Sequence, residues 1–239
     1  MMNNSNKTAI MQPTYLPWIG YFELIGNVEN FVFLDDVQIS VPSWQNRNRI
    51  LNQHGPIYLT LPTSFKLTQS KLIKDVILMN EIQIKRKHLE TIRHSYRKAP
   101  YFDEVFSVLQ EIYSRSHYYI AQLNIDIIRK ISEVLGFRTN FILASDLNFY
   151  GSRSEKLIKI LNFLNSKYYY SPEGSRDYLV NDGLFAKEQI QVCYQKFTPA
   201  PYPQLIKGFT PFLSAIDLFF SLGFEQSSKF ILANQSFVE

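Results

Sequence analysis

"TAIMQPTYLPWIGYFELIGNVENFVFLDD", residues 8–36, decides the fold. Its first residues, Thr8–Gln12, read as a short strand. Trp18, Phe22 and Ile25 then recur at helical spacing, and Gly26 closes the segment. NFVFLDD is a continuous apolar run ended by paired acids, the pattern of a strand buried on both faces of a parallel sheet. Strand, turn, helix and strand within about 30 residues make a βαβ unit. Ligands of open α/β sheets sit beyond the carboxyl ends of the strands. Met11–Trp18 and Asp35–Gln38 are therefore expected side by side on one rim. A core needs aromatics, but not on a loop stiffened by Pro13 and Pro17. Gln12, Tyr15, Trp18 and Tyr21 are read as facing a ligand, and Gly20 as permitting close backbone approach.

Working outward, NRNRILNQHGPIYLTLP predicts a hairpin turning at NQHG, with Ile57–Leu61 as the returning strand. KDVILM predicts another short strand. From Glu81 to Gly136 the pattern is helical in three segments, Glu81–Lys98, Tyr101–Arg115 and His117–Leu135. TNFILAS and IQVCYQKF predict strands, and SRSEKLIKILNFLN an amphipathic helix. KYYYSPEGSRDYL predicts a strand, a turn and a short helix, and FTPFLSAIDLFFSLGF a buried helix. The expected fold is α/β. It has a Rossmann-like, mainly parallel sheet flanked by helices, a β-hairpin in the N-terminal half and a helical insertion at about 81–136. One domain over 1–239 is expected.

The chain has 239 residues, of which 46% are hydrophobic, enough for a sizeable core. A formal net charge of +4 does not describe a general polyanion binder, and no nucleic-acid motif appears. Charge is uneven: from Lys66 to Lys98 nine Lys or Arg face three acids. The single cysteine, Cys193, excludes an internal disulfide and reads as a structural thiol in a strand. His54, His88, His94 and His117 match no metal motif, so no metal is expected. The start MMNNSNKT lacks a hydrophobic signal core, and no apolar run reaches the roughly 18 residues of a span. A soluble, cytoplasmic protein without a membrane span is expected.

The densest polar cluster is LDDVQISVPSWQNRNR, Leu34–Arg49. Its amides and carboxylates, Asp35, Gln38, Gln45 and Asn46, suit sugar hydroxyls, which both donate and accept. Arg47 and Arg49, with the Lys85–Lys87 patch, suit phosphate oxygens, and Trp44 adds a ring. Adjacent Asp35 and Asp36 cannot both point inward; one is read as a general base or ribose contact and the other as a cap. His88 and Tyr96 lie two turns apart on one helix face, and His88 is the second candidate base. SPEGSRDYL, with Ser175 and Tyr178, precedes a helix whose free N–H groups suit a phosphate.

MQPTYLPWIGYF, FVFLDDVQ, SWQNRNRI, KHLETIRHSY, SPEGSRDYL and FTPFLSAIDLFFSLG together resemble the WbqC-like protein family, in the family's order and over nearly the whole chain. The family is known chiefly from bacterial O-antigen and other surface-polysaccharide (lipopolysaccharide) clusters. The resemblance implies a transferase adding an acyl or aminoacyl group, glycyl for example, to the amine of a nucleotide-linked amino sugar of the dTDP or UDP type. Asp36 or His88 would take the proton. The donor would be acyl-CoA, a carrier-protein-bound acyl group or an ATP-activated one, and no bound cofactor is implied. A homodimer is compatible with this reading. Two alternatives stand beside it. One is a non-catalytic nucleotide-sugar or glycan binder. The other is an ATP-using enzyme: the opening is similar to nucleotidyltransferases with a His-x-Gly-His turn, with Trp18, Gly20 and Tyr21 in its place. The histidines that would stabilise phosphate charge are absent.

Overall fold

The computed structural model describes residues 6–39, 43–64, 71–151, 153–181, 183–233 and 237–238, with the backbone alone for 178, 180, 181, 237 and 238. The opening segment folds as β1 (Lys7–Met11), α1 (Ile19–Gly26) and β2 (Asn30–Phe33). The hairpin is β3 (Arg47–Asn52) and β4 (Gly55–Thr60). Three helices follow, α2 (Glu81–Tyr96), α3 (Phe102–Ser114) and α4 (Ile120–Val134). The chain then returns through β5 (Asn140–Leu143), α5 (Ala144–Leu147), α6 (Arg153–Phe163) and β6 (Tyr168–Pro172). It ends with α7 (Arg176–Asn181), α8 (Leu184–Lys187), β7 (Gln191–Gln195), α9 (Ile216–Ala233) and β8 (Phe237–Val238).

The main sheet has the order β5-β2-β1-β6-β7-β8. The first five strands are mutually parallel and β8 is antiparallel. Side chains alternate between its faces, as the pleat requires. Ala9, Phe31, Phe33 and Tyr170 pack in one core with α1, α4 and α9. Ile10, Val32 and Tyr169 pack in a second core with α6 and α8. Both faces are covered, so the strands read as nearly unbroken apolar runs. From β1 the chain builds outward to β2 and β5, then crosses to β6 and β7 on the other side. The direction changes between β1 and β6, and ligands of such sheets bind at that point.

Two expectations are corrected. KDVILM is not a strand of a sheet. Ile73–Asp75 is a 3-10 turn, and Ile77 and Leu78 make only single bridges, to Tyr119 and Thr63. Its buried residues Val76 and Leu78 do alternate as in a strand, but the 3-10 turn that precedes them leaves too short an extended stretch for a ladder. In FTPFLSAIDLFFSLGF the helix begins only at Ile216 and is interrupted at Gly223, with φ 72° and ψ 170°. A Cβ there would lie 2.6 Å from the Tyr101 ring. Among the described residues no helix is long and apolar enough to cross a membrane.

Candidate functional site

The β1–α1 turn is held from every side. Tyr15 N–H donates to Trp44 O (2.8 Å), and Asn48 Nδ2 donates to Tyr15 O (3.2 Å) and Leu16 O (2.8 Å). Asn124 Nδ2, from α4, donates to Pro13 O (3.1 Å) and Gln45 O (2.8 Å). Gln45 Nε2 donates to Gln12 Oε1, and the Tyr21 hydroxyl to Gln12 O (3.0 Å). These bonds keep Leu16 at φ 43°, a conformation that costs a non-glycine residue about 1 kcal/mol or more.

The expected ligand-facing aromatics divide. Tyr15 and Tyr21 are buried, whereas Trp18 is half-buried beside Phe197 and Phe212, with both ring centroids 5.7 Å away. Gly20 serves that indole: a Cβ on it would stand 2.3 Å from the Trp18 ring. Phe212 is 49% exposed and sits at φ 57°. Its carbonyl accepts from Arg49 Nη2 at 3.2 Å. Arg47 and Arg49 lie two apart on β3 and so share one face, with Asn48 buried on the other. Tyr58, directly across from Arg49 and 51% exposed, underlies the Arg47 guanidinium at 4.7 Å. Among the described residues no carboxylate forms an ion pair with either arginine, and the buried Arg49 Nε has no partner. Trp18, Phe212, Tyr58, Arg47 and Arg49 thus make a contiguous surface of rings and of guanidinium groups that no described carboxylate neutralises. Rings and sugars stack on the first, and phosphate oxygens pair with the second.

The two acids after β2 take separate roles. Asp35 is buried and accepts from Ser145 N–H (3.0 Å) and Oγ–H (2.7 Å), capping the chain beyond β5. Asp36 pairs with Lys156 Nζ of α6 at 2.6 Å, its side chain 12% exposed. His88, the other candidate base, is interior. Its Nδ1 lies 2.7 Å from the Tyr15 hydroxyl, which also meets the Tyr113 hydroxyl. Burial, with the nearby Lys87 charge, lowers its pKa to about 4 against an opposing bond to the Thr60 backbone. His88 is therefore neutral at pH 7. Tyr96, on the same helix face, is also buried. It donates to Asp217 (2.9 Å), accepts from Leu51 N–H (2.9 Å), and burial and Asp217 raise its pKa.

Of the remaining expected residues, Gln38 is exposed and Trp44 half-exposed, while Asn46 is buried against Leu61 O. Ser175 is buried just past β6, bonded to Ser171 Oγ and Pro172 O at 2.7 Å. Tyr178 lies in α7, with its side chain outside the described residues. Lys85 does not join Arg86 and Lys87 in solvent. Its three protons go to Glu81 (2.5 Å), Arg115 O (2.7 Å) and His117 Nδ1 (2.7 Å). Beneath the switch point, buried Glu23 accepts from Tyr170 and Gln195, and burial raises its pKa. It anchors α1 to β6 and β7. Among the described residues no group of three or more His, Cys, Asp or Glu is placed to hold a metal ion.

The sequence profile of the WbqC-like protein family matches residues 12–229, from the first residue of the braced turn into α9. The chain belongs to the WbqC-like protein family. It is also 30% identical, over 221 residues covering 92% of this chain and 95% of the relative, to the uncharacterized protein Rv1507c of Mycobacterium tuberculosis. No solved structure matches. The family region spans every candidate residue of this WbqC-like chain. Sequence reasoning passed over Phe212, Tyr58 and Lys156. Lys156 carried a signal, since YGSRSEKL opens a helix that α/β topology brings toward the rim. Phe212 carried none, because its ring position depends on a left-handed backbone that apolar patterning does not reveal.

Proposed function

We propose that this WbqC-like chain is a cytoplasmic transferase that acylates or aminoacylates the amine of a nucleotide-linked amino sugar in surface-polysaccharide biosynthesis. One observation carries the reading. Arg47 and Arg49 share a face of β3, without carboxylate partners among the described residues, next to the rings of Trp18, Phe212 and Tyr58. A diphosphate fits the guanidinium pair and a base or sugar ring fits the aromatics, the two parts of a nucleotide sugar. Asp36 follows β2, the strand beside β1 in the main sheet, and is the carboxylate we assign to proton transfer. As the sugar amine attacks the donor's acyl carbon, the C–N bond forms and Asp36 takes the amine proton. The acyl–leaving-group bond then breaks, releasing a thiol from acyl-CoA or a carrier protein, or AMP from an ATP-activated acid. Amine attack requires no protein nucleophile, which agrees with a chain whose one cysteine lies within a strand.

The test incubates the protein with dTDP- and UDP-linked amino sugars and each donor class, and reads the sugar by mass spectrometry. A gain equal to the acyl or glycyl group supports the reading. Saturable binding by calorimetry without any gain from any donor would instead make the protein a nucleotide-sugar binder. Pyrophosphate release from ATP without acyl transfer would make it a nucleotidyltransferase-like enzyme.

A further inference from the structure

Helix α2 packs Lys85, His88, Ile92 and Tyr96 inward and turns a strongly basic face to solvent. Arg86, Lys87 and Arg93 are exposed on it, and Arg97 and Lys98 in the turn just past its end, against one exposed acid, Glu90. Five cations against one acid leave an excess of four, equal to the formal net charge of the entire chain. At about 100° per residue the helical positions among them occupy less than half of the circumference, and the turn continues the same basic surface. The ion pair at this face, Arg93 to Glu90, is long at 3.8 Å. The basic stretch noted in the sequence is thus largely one surface.

Both ends of that surface are marked. At the amino end Ile82 is 78% exposed, Met79 41% and Tyr118 59%. Leu78 N–H bonds to Tyr118 O at 2.9 Å, which brings this group together. At the carboxyl end a pit of about 200 Å³ is lined by His94, Arg97, Lys98, Gln53 and Leu205, among others. A nucleic acid would use the cations but would gain nothing from Ile82 and Met79 in water. An anionic bilayer uses both. Its surface potential attracts the cations, and the headgroup layer accepts isolated apolar and tyrosine side chains.

We propose that the outward face of α2 is a peripheral docking surface for anionic membrane lipid, with Ile82, Met79 and Tyr118 entering the interface and the pit receiving a lipid phosphate. Each cation near an anionic surface strengthens binding by about fivefold, and the attraction decays within a Debye length. This surface is separate from the Arg47–Arg49 site, and its test does not depend on any transfer activity.

The experiment co-sediments the full chain with vesicles of phosphatidylglycerol and phosphatidylcholine in equal parts, and with phosphatidylcholine alone. Binding to the first and not the second, weakening as salt rises, is expected. Arg86→Gln, Lys87→Gln, Arg97→Gln and Lys98→Gln combined, all at exposed positions, should lower partitioning by about a hundredfold or more with an unchanged far-ultraviolet spectrum. Ile82→Ser, which preserves charge, should weaken it several-fold. Three results would overturn the proposal. They are equal binding to both vesicle types, undiminished binding by the folded quadruple variant, or displacement from vesicles by a single-stranded oligonucleotide bound more tightly than the lipid.

Discussion

The Tyr15 hydroxyl lies 2.7 Å from His88 Nδ1, which joins the turn after β1 to the first helix of the insertion. A neutral imidazole accepts this bond; an imidazolium has no lone pair to do so. The histidine pKa falls from 6.5 to about 4 on folding. Between those values the unfolded chain binds a proton that the folded chain refuses, so stability is lost as pH falls through this window. The loss is about 3 kcal/mol by pH 4, and His117, also lowered by burial, adds in the same direction. Urea denaturation from pH 7 to 4 measures it. His88→Gln, which keeps an acceptor and does not titrate, should flatten the slope. An equally steep slope in that variant would show that His88 is not its source.

Gly223 breaks α9 at φ 72° and ψ 170° beneath the Tyr101 ring. Only glycine adopts that backbone at low cost. Gly223→Ala should destabilise the fold by about 3 kcal/mol from backbone strain together with the Tyr101 clash. A shift in the denaturation midpoint with an unchanged m-value is the expected signature. Wild-type stability would mean that the break relaxes into continuous helix.

How far the sequence discloses the molecule depends on which force sets each part. β2 was legible because burial on both sheet faces leaves an unbroken apolar run, and the α2–α4 insertion because helix periodicity persists over whole turns. KDVILM was misread because Val76 and Leu78 are buried on alternate positions, as in a strand, while the backbone makes only single bridges on either side. Within the candidate site, Asp35 and Asp36 were readable as a divided pair, because adjacent residues of an extended chain face opposite ways. Tyr15 and Tyr96 looked like ligand contacts, but each hydroxyl is spent on a partner far along the chain, Tyr113 and Asp217. No local pattern encodes such pairings.

The proposed ligand site at the β3 face rests on guanidinium groups without carboxylate partners among the described residues and on accessible rings. Arg49→Gln removes a charge-assisted contact to phosphate, and Trp18→Ala removes a stacking face. Each should weaken binding of a nucleoside diphosphate by roughly tenfold or more. Gly20→Ala tests the same surface indirectly, since its methyl group must displace the indole. It should change tryptophan emission and weaken binding while the fold persists. Calorimetry and fluorescence titration report all three. Unaltered affinity in both Arg49→Gln and Trp18→Ala would place the ligand elsewhere.

Asp36 and Lys156 approach to 2.6 Å, one just after β2 of the main sheet and the other on α6, which packs against that sheet. If Asp36 accepts the amine proton, Asp36→Asn retains size and polarity but cannot act as a base. Turnover should fall by about 10²–10⁴-fold with little change in KM. Lys156 acts only through the carboxylate it orients, so Lys156→Met should lower turnover less, and Lys156→Arg should restore most of it by renewing the ion pair. Adding Lys156→Met to Asp36→Asn should then cost almost nothing further, because the group that Lys156 positions has already lost its function. Full additivity of the two losses would separate the residues, and near-wild-type turnover in Asp36→Asn would remove Asp36 from the chemistry altogether.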